Sequence, residues 1–359
     1  MRTDNLIVFY ISSHGFGHMT RCLAIIEEIL KKTNYIIYIA CGKFQNDFAR
    51  FYVKSCYADF ADRVIFRDLT TDVGLVNFNC SLKVDAEQLE NELTHFVSCW
   101  ERIVEEECEF LKQFKIKCVI IDISPIGALI GDKLKVKSIG ISNFTWVEQY
   151  ENIGINSDII WQFKEAYSKL DCFIEYDLSL PMDLNIKNRR KIGFISRSID
   201  LNKVEEIKQK YGKSIFITCG KSANLENINV KNFDGCIFTT SGINITGDCN
   251  VIKLPVSTLA THNYIASSNV VIAKAGWSTI SEALIAKRKL VLIERDDVVE
   301  DTFNISELKK RKSAVSIRES DLRELDMDLI EQKINEGISE EMLNKYDNQI
   351  EALVGMLDL

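Results

Sequence analysis

Val270-Val271-Ile272-Ala273, Lys274-Ala275-Gly276-Trp277-Ser278-Thr279, Ile280-Ser281-Glu282-Ala283-Leu284-Ile285-Ala286-Lys287 and, after Arg288-Lys289, Leu290-Val291-Leu292-Ile293-Glu294 decide the fold of this chain. Four apolar residues with no polar break predict a strand buried on both faces. Ser278 or Thr279 can cap the helix that follows, with Ile280, Ala283 and Leu284 on its apolar face. Lys287-Arg288-Lys289 suits a helix C-terminus, and a second apolar strand comes after it. Strand, tight turn, helix and strand form a βαβ unit whose helix start exposes backbone amides, where an anion can sit. The block is expected to form the nucleotide end of a nucleotide-sugar site. Lys274, flanking the turn, can contact a phosphate, although a lysine in that place is more often a solvated charge.

The pattern extends outward from this block. Strands are expected at Leu6–Ile11, Tyr35–Ala40, Val64–Phe66, Val119–Ile123, Val136–Ile141, Cys172–Tyr176 and Ile192–Ile195. A second series follows at Ser214–Thr218, Cys236–Thr239, Asn250–Leu254 and Ala314–Ile317. One long helix is expected over 85–114, its apolar stripe running from Leu89 to Phe114 with the glutamates elsewhere. The stretch 68–82 shows no periodicity and reads as a loop near the active face. Helices near 325–335 and 340–357 close the chain. Strands alternating with helices in both halves predict α/β architecture, with two Rossmann-like parallel-sheet domains facing a cleft. The expected division is 1–196, 197–340 and a C-terminal helix in 341–359 that can cross back to the first domain. Ligands of such folds bind beyond the carboxyl ends of the strands.

Composition narrows the class of function. At 359 residues the chain exceeds one typical core. Its formal net charge of −8 argues against nonspecific nucleic-acid binding, which needs a basic face. The longest apolar runs are strand-sized, so no transmembrane segment is expected, and His14, His18 and Arg21 follow the first run too closely for a signal peptide. Eleven cysteines occur without a CxxC, several inside apolar runs, as expected of small buried hydrophobes in the reducing cytoplasm. No paired Cys or His-x-x-x-His spacing points to a metal.

Ser12-Ser13-His14-Gly15-Phe16-Gly17-His18 is a glycine-rich turn between the first strand and first helix, without the G-x-G-x-x-G spacing. Glycines that provide positive φ explain Gly15 and Gly17 but not two histidines. A helix N-terminus disfavours imidazolium, and a neutral imidazole is what a general base requires, which makes His18 a candidate base. Asp122, at the carboxyl end of a buried strand, either pairs with His18 and fixes its tautomer or serves the loop before Pro125.

These motifs, in this order, together with Ser142-Asn143-Phe144-Thr145-Trp146, resemble the GT-B superfamily of nucleotide-sugar glycosyltransferases over nearly the whole chain. The sequence looks closest to the glycosyltransferase-like N-terminal part of L-arabinokinases and their bacterial relatives. It is more distantly similar to the peptidoglycan N-acetylglucosaminyltransferase and to UDP-glycosyltransferases. The resemblance implies His18 as catalytic base and Asp122 as its partner. It implies Gly276, Ser278 and Thr279 around the donor diphosphate, Glu282 on the ribose, and Gly220 as a looser donor match. Trp277 stands where many members carry glycine and either crowds the turn or stacks a ligand. His14, Gly17, Asn143 and Trp146 fall on the acceptor side. Glu300-Asp301 and Asn304 lie where members often carry an acidic-Gln pair reading the donor sugar.

The implied activity is metal-independent transfer of a hexosyl-type group from a nucleotide diphosphate sugar, UDP-linked, to a small-molecule or lipid-linked acceptor. The nucleotide sugar is a substrate, and no cofactor is expected. Two alternatives keep the fold: a nucleotide-sugar epimerase or hydrolase, and a non-catalytic nucleotide-sugar-binding module.

Overall fold

The structure, a computed structural model, describes residues 5–78, 84–219, 225–240, 242–247, 249–255, 257–295 and 298–359. They fall into two compact units. One takes the described residues of 5–193 together with Gln349–Leu359, and the other takes Phe194–Asn348.

The first unit is built on seven strands: β1 (Asn5–Ile11), β2 (Ile36–Cys41), β3 (Val64–Asp68), β4 (Lys115–Asp122), β5 (Ser138–Ser142), β6 (Cys172–Glu175) and β7 (Arg189–Lys191). They lie in the order β3-β2-β1-β4-β5-β6-β7, every neighbouring pair parallel. Leu6 through Ile11 are all fully buried, which explains their unbroken apolar run: helices cover both faces of a parallel sheet. The strand order reverses at β1 and β4. There Ile11 pairs with Asp122, and the Ser12 amide donates to the Asp122 carbonyl at 3.1 Å. This register sets the turn after β1 against the last residue of β4.

Three details differ from the expectation. The helix over 85–114 is two helices, Ala86–Ser98 and Trp100–Leu111, joined at Cys99, and the apolar stripe continues across the joint. Not every glutamate is off that stripe. Glu107 is fully buried and accepts from the Tyr10 and Tyr38 hydroxyls, both at 2.8 Å, and from Arg67 Nε at 2.9 Å. The last strand is Arg189–Lys191 rather than 192–195, because the backbone pairing with β6 ends at Lys191.

The second unit repeats the plan. Its main sheet holds β8 (Ser214–Thr218), β10 (Cys236–Thr239), β12 (Asn250–Lys253), β13 (Val270–Lys274), β14 (Lys289–Glu294) and β15 (Val315–Arg318), and β9 (Leu225–Lys231), β11 (Ile243–Gly247) and β16 (Glu324–Asp326) form a small parallel sheet. The main order is β12-β10-β8-β13-β14-β15, so the reversal falls between β8 and β13. Ile217, Ile272, Val291 and Ile317 of the large sheet share one core with Ile228, Ile243 and Leu325 of the small one.

The chain ends in the first unit. The helix Ile350–Gly355 packs on the helix Gly17–Lys32, and Arg190 Nη1 donates to the Met356 carbonyl at 2.9 Å. The described cysteines are free thiols, and no helix among the described residues is long and apolar enough to cross a membrane.

Candidate active site

The turn after β1 and the helix Gly17–Lys32 bring polar side chains to the first reversal point. Gly15 has φ +68°, a left-handed conformation that favours glycine. Gly17 opens the helix, and its carbonyl accepts from Thr20 Oγ1 at 3.1 Å. His18 and Arg21, three residues apart and hence on one helix face, are both buried. His18 Nδ1 lies 2.9 Å from Asp122 Oδ1. Arg21 holds the same carboxylate with two donors, Nε to Oδ2 at 2.6 Å and Nη2 to Oδ1 at 2.5 Å. Its remaining reach crosses to the end of β5, Nη2 donating to Ser142 Oγ and Nη1 to Asn143 Oδ1, both at 3.0 Å. Burial alone would raise the Asp122 carboxyl, but Arg21 and then His18 outweigh it and hold it well below the usual carboxylate range. Asp122 is therefore an anion shared by a histidine and an arginine. It does not cap the helix Pro125–Leu134, whose preceding Ser124 Oγ instead donates to the Thr71 carbonyl at 2.9 Å.

The residues expected on the acceptor side divide into a wall and its supports. His14 meets the edge of Trp146, ring centroids 5.6 Å apart, and a Cβ on Gly74 would run into its imidazole. Trp146 itself is not presented to a ligand. It is 1% exposed, stacks on Tyr150 and donates Nε1 to Asp72 Oδ2 at 2.7 Å. Asn143, fully buried, has its side-chain oxygen on Arg21 and its carbonyl on the Leu180 amide, so its side-chain oxygen anchors Arg21. Asp72 was missed by sequence reasoning. It sits in the aperiodic stretch after β3, accepts from the Ser13 amide at 2.7 Å, and is pushed up by burial. Nothing in that stretch distinguishes it from a surface aspartate. Arg21 did carry a signal, its helical spacing from His18.

In the second unit the helix Trp277–Ile285 follows β13 directly, and its N-cap is Gly276. Ser278 and Thr279 lie inside the first turn, not at the cap expected of them. Gly276 has φ −68°, and a Cβ there would meet no atom within 4 Å. The Trp277 amide lies 3.2 Å from Glu300 Oε1, so a carboxylate of the chain already sits at this helix start. The Trp277 ring is 1% exposed and stacks on Phe194 at 5.7 Å, which removes it as a stacking surface for a ligand.

Glu282 is buried, and its Oε1 accepts from Arg197 Nε at 3.0 Å and Nη2 at 2.7 Å. Arg197 also donates to the Leu259 carbonyl at 2.7 Å. Lys274 is not a solvated charge. Burial first, and Arg295 second, press its ammonium down to about 8, with Asp301 and Glu300 opposing. Asp301 pairs with Arg295 Nε at 2.6 Å, and Asn304 Nδ2 donates to the Ala275 carbonyl at 2.8 Å, binding the next helix to the turn. Gly220 lies outside the described residues.

Each unit is thus a parallel α/β sheet whose strand order reverses once, with a turn and a helix start at the reversal. Solved structures agree in fold. Phytolacca americana UGT2 complexed with UDP-2-fluoro-glucose and pterostilbene superposes with TM-score 0.63 at 10% identity, covering 99% of both chains. MurG of Acinetobacter baumannii does so with TM-score 0.54 at 12% identity, again over 99% of both. Residues 198–354 match the glycosyltransferase family 28 C-terminal domain. The chain is also similar to Arabidopsis thaliana L-arabinokinase, 23% identical over 331 residues, which covers 88% of this chain. The match takes in 31% of that longer protein, so the chain spans under a third of its relative.

Proposed function

We propose that the protein transfers a glycosyl group from a nucleotide diphosphate sugar, UDP-linked, to a hydroxyl or amine of a small-molecule or lipid-linked acceptor. The observation that carries this reading is the buried His18–Asp122 contact at the first reversal point, 2.9 Å long. The imidazole of His18 takes the acceptor proton on Nε2 while the acceptor oxygen or nitrogen bonds to the anomeric carbon. The bond from that carbon to the diphosphate breaks, and its electron pair leaves with the nucleoside diphosphate. Asp122 steadies the imidazolium that forms.

The second unit supplies the features an anionic leaving group needs. Neither backbone strain nor packing explains glycine at 276, whereas close approach of a phosphate to the amides of Gly276–Thr279 does. Glu300 marks the position by placing its own carboxylate on the Trp277 amide, and the diphosphate would displace it. Arg197 orients the Glu282 carboxylate, as accepting from ribose hydroxyls requires. The UDP assignment draws on the ligand named with the Phytolacca structure.

Calorimetry with UDP, and with the other nucleoside diphosphates, tests the donor half. Binding is expected, and silence toward every one of them would sink the proposal. For the chemical half, His18→Ala is expected to retain nucleotide binding and lose on the order of 100- to 10,000-fold in UDP release from UDP-sugar. Full UDP release without any acceptor would favour a hydrolase or epimerase.

A further inference from the structure

The first-unit site reads as a histidine–aspartate pair until its hydrogens are counted. A guanidinium carries five N–H bonds in a rigid fork and accepts none. Nε–H goes to Asp122 Oδ2, and the two hydrogens of Nη2 go to Asp122 Oδ1 and Ser142 Oγ. Nη2 also lies 2.9 Å from His18 Nδ1, with no third hydrogen to offer. If Nδ1 were bare, its lone pair would face the carboxylate oxygen at 2.9 Å; an Nδ1–H at that distance makes a charge-assisted hydrogen bond. The hydrogen count therefore assigns the proton to Nδ1 and leaves the lone pair on Nε2.

Arg21 also sets the charge around the base. Asp122, 2% exposed, would be a bare buried anion without it, and such an anion binds an adjacent imidazolium tightly. A base held as its cation accepts no proton. The guanidinium, gripped by Asn143 and Ser142 and lying over the Tyr176 ring at 5.3 Å, cancels that excess. The titratable groups facing the cluster are Asp122 from β4, Arg21 and Cys22 from the helix of His18, Tyr176 after β6, and Asp72 after β3.

We propose that Arg21 is the positioning residue of the site: it neutralises Asp122 and fixes the carboxylate that accepts the Nδ1–H of His18, which leaves the lone pair on Nε2 for the acceptor proton. The kinetic consequence rests on the glycosyltransferase reading; the tautomer does not.

The chain has only four histidines, so histidine-labelled protein gives a readable long-range proton–nitrogen correlation spectrum. Wild-type protein is expected to show His18 protonated on Nδ1 and bare on Nε2 at neutral pH. Arg21→Gln keeps a polar side chain but removes the charge. It is expected to move the acid limb of the kcat/KM pH profile to higher pH, with a loss on the order of 100-fold at neutral pH. Arg21→Lys keeps the charge but not the fork, and a rotatable ammonium can donate to Nδ1. Its acid limb should stay in place while kcat falls roughly tenfold and the spectrum shows protonated Nε2.

A wild-type His18 protonated on Nε2 overturns the proposal. So does an Arg21→Gln protein with an unchanged pH profile. If that variant does not fold, the wild-type and Arg21→Lys spectra decide. Absence of transferase activity in the wild type would remove the function reading and leave the tautomer measurement standing.

Discussion

At the reversal of strand order in the first unit the chain gathers side chains; at the same point of the second it offers backbone. His18, Arg21, Asp122, Ser142 and Asn143 come from one helix and two strand ends and meet through contacts of 2.5–3.0 Å. The second reversal has a glycine N-cap, a row of amides and a tryptophan whose ring is turned inward on Phe194. On the proposed function the same scaffold carries two kinds of chemistry. Moving a proton needs a titratable group whose tautomer and charge are held by neighbours. Holding an anion that must later leave needs donors that cannot titrate, and amides at a helix start meet that need.

The comparison breaks most readily in the first unit. Asp122→Asn leaves Arg21 buried without its anion, so a loss of about 3–5 kcal/mol in unfolding free energy is expected, read by denaturant titration. Transfer should fall on the order of 1,000-fold or more, because the amide no longer fixes the imidazole. A variant as stable as the wild type would mean that the charge cluster does not hold this site together.

Gly276→Ala tests the opposite claim in the second unit. With φ −68° and no atom near the added methyl, stability should stay within about 0.5 kcal/mol of wild type. UDP affinity should drop about tenfold, or 1.4 kcal/mol, as the methyl obstructs the phosphate. Unchanged affinity would separate the turn from the diphosphate.

The smallest effect is the pH dependence of nucleotide binding. Lys274, held at about 8, is charged below that pH and neutral above it. UDP binding should therefore weaken a few-fold between pH 7 and 9, and Lys274→Met should flatten the slope. Stability runs the other way. Between about 8 and the ordinary lysine value near 10.5 the unfolded chain binds the extra proton, so the contribution of Lys274 to folding rises with pH. A binding curve flat from pH 7 to 9 would place this ammonium away from the phosphates.

Much of the fold was legible because parallel strands carry their burial in their composition. Leu6–Ile11, Val119–Ile121, Val270–Ala273 and Leu290–Ile293 are apolar on both faces and resemble nothing else at that length. The break at Cys99 was not legible, since the apolar stripe runs through it unchanged. Glu107 was misplaced for a related reason: a buried carboxylate is recognisable only by its donors, Tyr10, Tyr38 and Arg67, which lie 40 to 97 residues away. Asn143 and Trp146 fall on the acceptor side by resemblance alone. Arg21 and Asp72 claim them instead.

By itself the sequence determined that two parallel sheets form, that a glycine-rich turn precedes His18, and that a helix starts at the Gly276 turn. These are local properties, set by burial, backbone freedom and helix geometry within a few consecutive residues. Only the tertiary structure decided that Arg21 and His18 meet on the Asp122 carboxylate, that Glu282 shares its carboxylate with Arg197, and that Trp277 points inward. Each of those depends on partners brought together by strand register, and a partner 85 or 101 residues distant leaves no trace in local spacing.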